Sequence, residues 1–217
     1  MFNPRCRKLK KGLMKALITR KVGMTSTISE DGAVQAVTLL SVQDHTVLAH
    51  RTDEKDGYTA VQVGTEKAKK LSKSVTGHVK QAKVMPKIIR EFRLEDIPEE
   101  LNVGATIQAA DVFSVGDKVQ VTGLTKGKGW AGTIRRHNFH RGRKTHGAGS
   151  YRRPGSIGSM YPQHIFKGKK MAGQLGHDQV TVKGLKVALV DAEQGVIGVT
   201  GAVPGPKKSI VVLEEAK

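Results

Sequence analysis

The 217-residue sequence has few cysteines, few aromatic residues and no long apolar run, and each shortage excludes a class of protein. Its single cysteine, Cys6, excludes a disulfide framework and a multi-cysteine metal cage. No run approaches the roughly 18 apolar residues of a membrane-spanning helix. No apolar segment follows the basic N-terminus, as it would in a secretory signal. We therefore expect a soluble, strongly basic protein of a reduced compartment, with no membrane partner.

The most informative shortage is that of acidic residues, because it is local. The chain has 37 Lys and Arg against 19 Asp and Glu, a formal net charge of +18. Residues 118–177, which we call the basic block, hold 13 of the cations and no acid, and residues 1–13 hold five more. The remaining residues balance at nineteen of each sign. Because an ordinary soluble surface mixes both signs, we expect the basic block to bind a polyanion.

The basic block is also poor in residues that build a core. Between residues 125 and 174 the branched aliphatic residues are Ile134, Ile157 and Ile165 alone. The block holds five of the nine aromatic residues and twelve of the 25 glycines. Such a segment buries too little apolar surface to fold by itself. Cations for phosphates, rings for bases and glycines for close backbone approach are typical of an extension that RNA orders.

The sequence on either side of the basic block predicts a β-rich domain. Short apolar or alternating runs at spacings of about 8–12 residues are typical of a barrel or a sandwich. The predicted strands are 15–28, 33–42, 46–50, 58–63, 118–122, 179–182, 185–190, 196–200 and 209–213. Asp31-Gly32 predicts the turn between the first two. The strands flanking the block must pair with each other, so the block is an insertion in one β-domain. Residues 65–115, with a weak helical pattern and Pro98, predict a small α+β insertion.

Three catalytic or ligand-binding motifs in the basic block lack the residues that would complete them. Gly127–Gly132 matches GxGxxG, but no acid follows about 20 residues later as in a dinucleotide site. His137, His140 and His146 have no nearby cysteine or carboxylate to complete a zinc site. Gly155–Gly158 lacks the spacing of a nucleophile elbow. We therefore expect no enzyme, no cofactor, no metal and no small-molecule substrate.

The residues expected to contact RNA are twelve of the thirteen cations of the basic block, two histidines and two aromatic rings. They are Lys126, Lys128, Trp130, Arg135, Arg136, His137, Phe139, Arg141, Arg143, Lys144, His146, Arg152, Arg153, Lys167, Lys169 and Lys170. For Trp130 two roles are open: a ring that stacks or wedges against RNA, or a buried hinge residue.

Several motifs, in the same order along residues 14–213, resemble the bacterial-type third large-subunit ribosomal protein, a universal family. They are Arg20–Thr25, Val121–Gly132, Arg135–Phe139, Thr145–Gly147, Arg153–Gly158, Phe166–Gly173, Gln179–Val182 and Val199–Pro206. Any one of them alone would be a weak signal, whereas the ordered series is specific.

The resemblance implies a mostly β fold, in which a six-stranded translation-protein-type barrel carries a long extended internal loop. The expected division is a basic tail 1–13, a barrel of 14–64, 116–124 and 178–217, an α+β insertion 65–115 and a loop 125–177. It also implies a structural role in which the protein binds 23S ribosomal RNA near its 3′ end and aids early subunit assembly. The loop tip, implied to lie near the peptidyl transferase centre, comprises Gly155, Ser156, Ile157, Gly158, Ser159 and Met160.

Two features depart from the family pattern. Ser159 replaces a glutamine that can be N-methylated in some relatives, so that modification cannot occur there. Residues 1–13 precede the usual start near Met14, and a misassigned start, an added segment and a native basic arm stay open. The implied partners are large-subunit ribosomal RNA and neighbouring ribosomal proteins in the cytoplasmic ribosome, without homo-oligomerisation.

A different class of function also fits the basic block. A non-specific nucleic-acid packaging or chaperone protein would share the block, but it would need neither the ordered motifs nor a charge-balanced scaffold.

Overall fold

The structure, a computed structural model, describes residues 14–29, 32–98, 101–108, 112–147 and 149–216. The basic tail 1–13, with Cys6, and Asp31 of the predicted turn lie outside the described residues. Contacts between Cα positions divide the chain into two compact units, and residues 124–179 form the second. The first unit comprises the chain before and after that segment.

Strands dominate the first unit. In chain order, the strands of the whole structure are β1 (Ala16–Ile28), β2 (Val34–Val42), β3 (His45–Arg51), β4 (Ala60–Lys67), β5 (Pro86–Arg93), β6 (Thr106–Ile107), β7 (Lys118–Leu124), β8 (Trp130–Ala131), β9 (Gly173–Gln174), β10 (Gln179–Asp191), β11 (Val196–Thr200) and β12 (Ile210–Glu215). The helices are α1 (Asp53–Asp56), α2 (Lys73–His78) and α3 (Thr133–His137), with a 3₁₀ turn at Lys80–Ala82.

Six of these strands close into a ring in the order β1, β12, β7, β10, β11, β2. The strands that flank the basic block in sequence, β7 and β10, are neighbours in this ring, which confirms their predicted pairing. The ring closes between the first and last of these strands, where Ala16 of β1 lies opposite Glu214 of β12. Both ends of the insertion therefore leave the ring from adjacent strands.

Buried side chains alternate along β7, one of the ring strands. In β7, Val119 and Val121 are fully buried, whereas Lys118 is exposed and Gln120 is partly buried. This two-residue period is what a half-buried strand requires, because successive side chains point to opposite faces. The buried residues that the ring strands contribute to the core are Ala16, Leu17, Ile18, Leu40, Val42, Val119, Val121, Val187, Ile197, Val199, Val211 and Leu213.

A second sheet of four strands, in the order β5, β4, β3, β6, packs against the same core. It includes β3 and β4, so the prediction that all of residues 14–64 belong to the barrel is wrong for these two strands. The alternating pattern of Val61 and Val63 identified a strand correctly, but such a pattern does not specify the partner strand. The partners, β5 and β6, come from residues assigned to the α+β insertion.

A 3₁₀ turn and the residue before it pack against this sheet. Leu48 packs there with Val79 and Ala82 in a small separate cluster. The lysine-rich stretch that suggested a helix is helical only over Lys73–His78, and the Ser72 side chain accepts a bond from the backbone N–H of Val75 at its start. A serine at this position stabilises a helix by satisfying an unpaired N–H group.

The strand β10 differs from its prediction. Residues 179–182 and 185–190 were predicted as two strands, but they form one thirteen-residue strand. The two predicted runs join through Gly184, whose φ of 76° lies in the left-handed region that favours glycine. None of the described helices is long and apolar enough to cross a membrane.

Two polar contacts tie the ring to the second sheet. Arg20 of β1 donates two hydrogen bonds to the Glu66 carboxylate of β4, one of them 2.9 Å long. These bonds hold the pKa of Glu66 below its usual range. The Ile18 N–H donates to Nε2 of the buried His45 at 2.8 Å, and burial lowers the pKa of that imidazole. Both contacts require one charge state: Glu66 ionised and His45 neutral.

Replacing valine by alanine should lower the stability of the protein by different amounts at the two ends of β2. Val42 is 7% exposed in the core and Val34 is 72% exposed. We expect Val42→Ala to lower the free energy of unfolding by about 2 kcal/mol, because two buried methyl groups are lost and a cavity remains. Val34→Ala also replaces a β-branched residue in the same strand, but it should lower the free energy of unfolding by less than about 1 kcal/mol. Urea unfolding of both variants measures the difference, and equal losses would contradict the assigned core.

The Arg20–Glu66 pair predicts a pH-dependent contribution to stability. Because the folded-state pKa of Glu66 is lowered, its contribution is complete above the unfolded-state pKa, near about 4.3. It is lost as the pH falls through the lower pKa of the folded state. Glu66→Gln should cost about 1–3 kcal/mol at pH 7, and this difference should shrink below about pH 4.

Urea unfolding at several pH values tests this expectation, with Glu215→Gln as a control. Glu215 pairs with Lys15 at 2.8 Å, but the carboxylate side chain is 53% exposed. An exposed pair contributes at most about 1 kcal/mol. A Glu66→Gln effect that matched the control, or that did not change with pH, would refute the assignment.

Candidate nucleic-acid interface

The second unit, residues 124–179, is held at its base by its own backbone. Two segments, residues 125–131 and 173–178, run side by side, and we call them the two arms. β8 and β9 pair antiparallel across them. Next to that pair, the Lys128 N–H donates to the Leu175 carbonyl at 2.8 Å, and the Leu175 N–H donates to the Gly129 carbonyl at 2.9 Å. The basic block is therefore not structureless where it begins and ends.

Glycine permits the close approach of the arms. Gly176 has a φ of 76°, and a Cβ atom there would lie 2.1 Å from the Lys126 carbonyl oxygen. Gly173 also lacks space, since a Cβ atom would lie 2.5 Å from Nη1 of Arg136. A side chain at either position would therefore displace a neighbouring group.

The short helix α3 follows the first arm and is bonded to Met171, two residues before the second arm. It begins after Gly132 and ends at His137, and the next residue, Asn138, has a left-handed φ of 57°. Nη1 of Arg136 donates to the Met171 carbonyl at 2.9 Å, and Nε2 of His137 donates to the same oxygen at 3.0 Å. Two residues predicted to bind RNA thus also hold the base of the unit together.

A second cluster surrounds Tyr151. The Gly142 N–H donates to the Tyr151 carbonyl at 3.0 Å, which brings two basic segments together. Nη1 of Arg141 donates to the Tyr151 hydroxyl at 2.9 Å. Nζ of Lys144 lies 5.6 Å from the centre of the same ring, within the range of a cation–π contact. One tyrosine therefore positions two predicted RNA-binding cations.

Most of the predicted RNA-binding side chains are exposed to solvent. Trp130 is 78% exposed, so the alternative role as a buried hinge residue is wrong. The partly buried members of the set are Arg136, His137 and Phe139. The exposed members are Lys126, Lys128, Trp130, Arg135, Arg141, Arg143, Lys144, His146, Arg152, Arg153, Lys167, Lys169 and Lys170.

The predicted loop tip is exposed, and its two serines bond to nearby backbone carbonyls. The Ser156 hydroxyl donates to the Gly158 carbonyl at 2.7 Å, and the Ser159 hydroxyl donates to the Tyr161 carbonyl at 2.7 Å. Met160 is 91% exposed between them. The serine that replaces the glutamine of some relatives therefore stabilises a local turn here.

The cations of the basic block have no acidic partners in the part of the chain that the structure describes. The ion pairs there join Lys15 to Glu215, Arg20 and Lys87 to Glu66, and Arg51 to Asp56 and Glu91. All of these pairs lie outside residues 118–177. Exposed cations without counter-charges attract a polyanion.

Comparison with known proteins assigns the family. A family model described as ribosomal protein L3 matches residues 43–200. The large ribosomal subunit protein uL3 of Pelotomaculum thermopropionicum is 44% identical over 93% of this chain and 97% of its own length. The proteins of the same name from Alkaliphilus metalliredigens and Bacillus thuringiensis are 45% and 44% identical, over 93% and 94% of this chain and 97% and 98% of their own lengths. The chain belongs to the ribosomal protein L3 family.

Family membership confirms the resemblance drawn from the motifs. It assigns the chain a structural role in the ribosome, which lies in the cytoplasm, and not an enzymatic one. Among the described residues, no group of three or more His, Cys, Asp and Glu side chains could hold a metal ion. Of the three histidines considered as zinc ligands, His137 bonds through Nε2 to the Met171 carbonyl.

The sequence analysis did not identify three residues that contribute contacts or exposed rings in the basic block. Tyr151 is one of the aromatic residues of the basic block but is not among the predicted contacts, although its position between basic residues was a usable signal. Phe166 is 65% exposed and lies edge-on to His164, with ring centres 5.4 Å apart. Nothing in the sequence could indicate the role of the Met171 carbonyl, because every residue type has the same backbone acceptor.

Because the two arms approach closely at Gly176, Gly176→Ala and Gly168→Ala should affect amide hydrogen exchange in the arms unequally. Gly176 and Gly168 both have positive φ, but a Cβ atom at Gly168 would meet nothing within 4 Å. Both variants therefore carry about 1–2 kcal/mol of backbone strain, and Gly176→Ala alone adds a clash. We expect Gly176→Ala to speed amide hydrogen exchange at Lys128 and Leu175 at least about tenfold, with little change for Gly168→Ala. Equal effects would show that the arms do not depend on close approach.

Proposed function

We propose that the chain is a structural component of the large ribosomal subunit and binds 23S ribosomal RNA near the 3′ end of that RNA. In this proposal it aids early subunit assembly and acts as a single copy beside neighbouring ribosomal proteins. Its binding partner is neither a membrane nor a small-molecule substrate. The names of its relatives support the large subunit, since each is a large ribosomal subunit protein.

The single observation that carries RNA binding is the exposed and unneutralised charge of the basic block. Residues 118–177 carry 13 Lys and Arg with no acid, and the described ion pairs all lie elsewhere. Arg141 and Lys144 are positioned by Tyr151 before RNA arrives. Positioned cations lose less conformational entropy on binding than free ones, so their affinity for phosphate is higher.

The rest of the chain supplies the scaffold in this proposal. The ring of six strands is the translation-protein-type barrel, and residues 125–177 are the loop that extends from it into RNA. The tip at Gly155–Met160 reaches toward the peptidyl transferase centre. Its exposed backbone turn, held by Ser156 and Ser159, suits a place where protein meets RNA without a bulky core.

The proposal predicts a steep dependence of RNA affinity on salt. If about 6–10 phosphates are neutralised, the log–log slope should be about −4 to −9. Changing Arg141, Lys144, Arg152 and Arg153 together to glutamine should weaken binding to large-subunit ribosomal RNA at least about tenfold. It should also flatten the slope by about 3, since each lost phosphate contact removes about 0.7–0.9.

A matched control removes the same charge from the first unit. Lys69, Lys70, Lys73 and Lys80 are exposed there, and their change to glutamine should alter affinity less than about threefold. Equilibrium binding with excess transfer RNA and duplex DNA as competitors measures both variants. Equal losses in both variants, or loss of wild-type binding to the competitors in proportion to phosphate, would favour the non-specific packaging protein.

A further inference from the structure

The first two strands extend beyond the ring. β12 pairs with β1 only as far as Arg20, and β11 pairs with β2 only as far as Val37. β1 and β2 nevertheless remain paired with each other out to Ile28 and Val34. Residues 22–29 and 32–36 therefore form a two-stranded hairpin that no further strand of the ring flanks, and we call it the hairpin arm.

One face of the hairpin arm is apolar and exposed. Met24 lies opposite Thr38, and Ile28 lies opposite Val34, so these residues share one face by the two-residue period of the strands. Ile28 is 75% exposed, Val34 72% and Met24 53%. Leu40, further along β2 on the same face, is fully buried in the ring. The apolar face therefore continues the inner face of the ring past the residues at which β11 and β12 stop pairing with β2 and β1.

A hairpin of this kind is poorly stabilised without a covering surface. An isolated pair of strands is marginally stable in water, and a third strand or a packed partner is needed for independent stability. Exposed large apolar residues that adjoin one another mark sites of protein interaction more often than single exposed ones. Both facts indicate that the apolar face is covered in the assembled particle.

The charge of the hairpin arm distinguishes between the two kinds of surface that a ribosome offers. Residues 22–29 and 32–38 contain no charged residue, in a chain with 37 Lys and Arg, and the two residues between them in sequence are Glu30 and Asp31. RNA binding relies on cations that replace counterions at phosphates. Strands without cations, joined through two acids, lack the charge that attracts a phosphate backbone, and their exposed apolar side chains suit an apolar protein surface.

We propose that the apolar face of the hairpin arm docks against an uncharged, apolar surface of a neighbouring ribosomal protein. This contact is separate from the RNA interface of the basic block. It rests on membership of a ribosomal-protein family and not on the proposed role of residues 125–177.

Cross-linking in assembled large subunits tests the identity of the occupant. A photo-reactive phenylalanine replaces Ile28 in one variant and the exposed Phe166 in another, and subunits are isolated through a tag on this chain. We expect position 28 to cross-link to another ribosomal protein, identified by mass spectrometry, and position 166 to cross-link to RNA. A cross-link from position 28 to RNA or to a second copy of this chain, or none where position 166 reacts, would overturn the proposal.

A pair of double variants tests the energetic role of the face. Ile28→Thr with Val34→Thr keeps β-branched side chains but removes the apolar surface. Thr25→Ser with Thr27→Ser alters the opposite face of the same arm as a control. In competition with the wild-type chain, we expect the first variant alone to enter large subunits at least about fivefold less, while both bind free ribosomal RNA within about twofold of wild type.

Loss of RNA affinity in the first double variant would mean that the arm contacts RNA. Equal incorporation of both double variants would mean that the apolar face has no partner. Either result refutes the docking proposal and leaves the RNA interface of the basic block unaffected, because that interface is tested by different variants.

Discussion

Electrostatic repulsion within the basic block is the constraint on which the rest of the structure depends. Thirteen cations with no acid cannot neutralise one another, so the segment needs supports that do not rely on ion pairs. The structure provides them through the backbone, in the paired arms and in the Met171 carbonyl that accepts from Arg136 and His137. Among the described residues, the ion pairs, such as Arg20 with Glu66, lie in the charge-balanced remainder of the chain.

The ring fixes the positions at which the two arms begin. Because β7 and β10 are neighbours, the chain leaves and re-enters the ring at adjacent places, and the arms begin side by side without a spanning segment. Gly176 then allows the arms to approach more closely than any residue with a side chain would. Beyond the arms, order comes from small side-chain clusters such as the one around Tyr151, and most of the cations are exposed.

Features that depend on local pattern could be predicted from the sequence. The alternation of Val119 and Val121 identified β7, and the absence of acids identified the candidate interface. Features that depend on distant partners could not: β3 has the pattern of a strand, but nothing in it selects β4 and β6 over the ring. The Met171 contact escaped prediction because a carbonyl carries no residue-specific signal. The hairpin arm was predicted as strand, whereas its exposure depends on where β11 and β12 end.

The pairing of β1 with β12 has a consequence for the order of events during synthesis. Ala16 and Glu214 are partners almost 200 residues apart in sequence, so the ring cannot close until β12 has been made. Contacts between such distant residues also form slowly, because a long loop must be closed first. The basic block therefore emerges from the translating ribosome ahead of a finished scaffold. At that stage the nearest polyanion is the ribosomal RNA of the ribosome that is synthesising the chain.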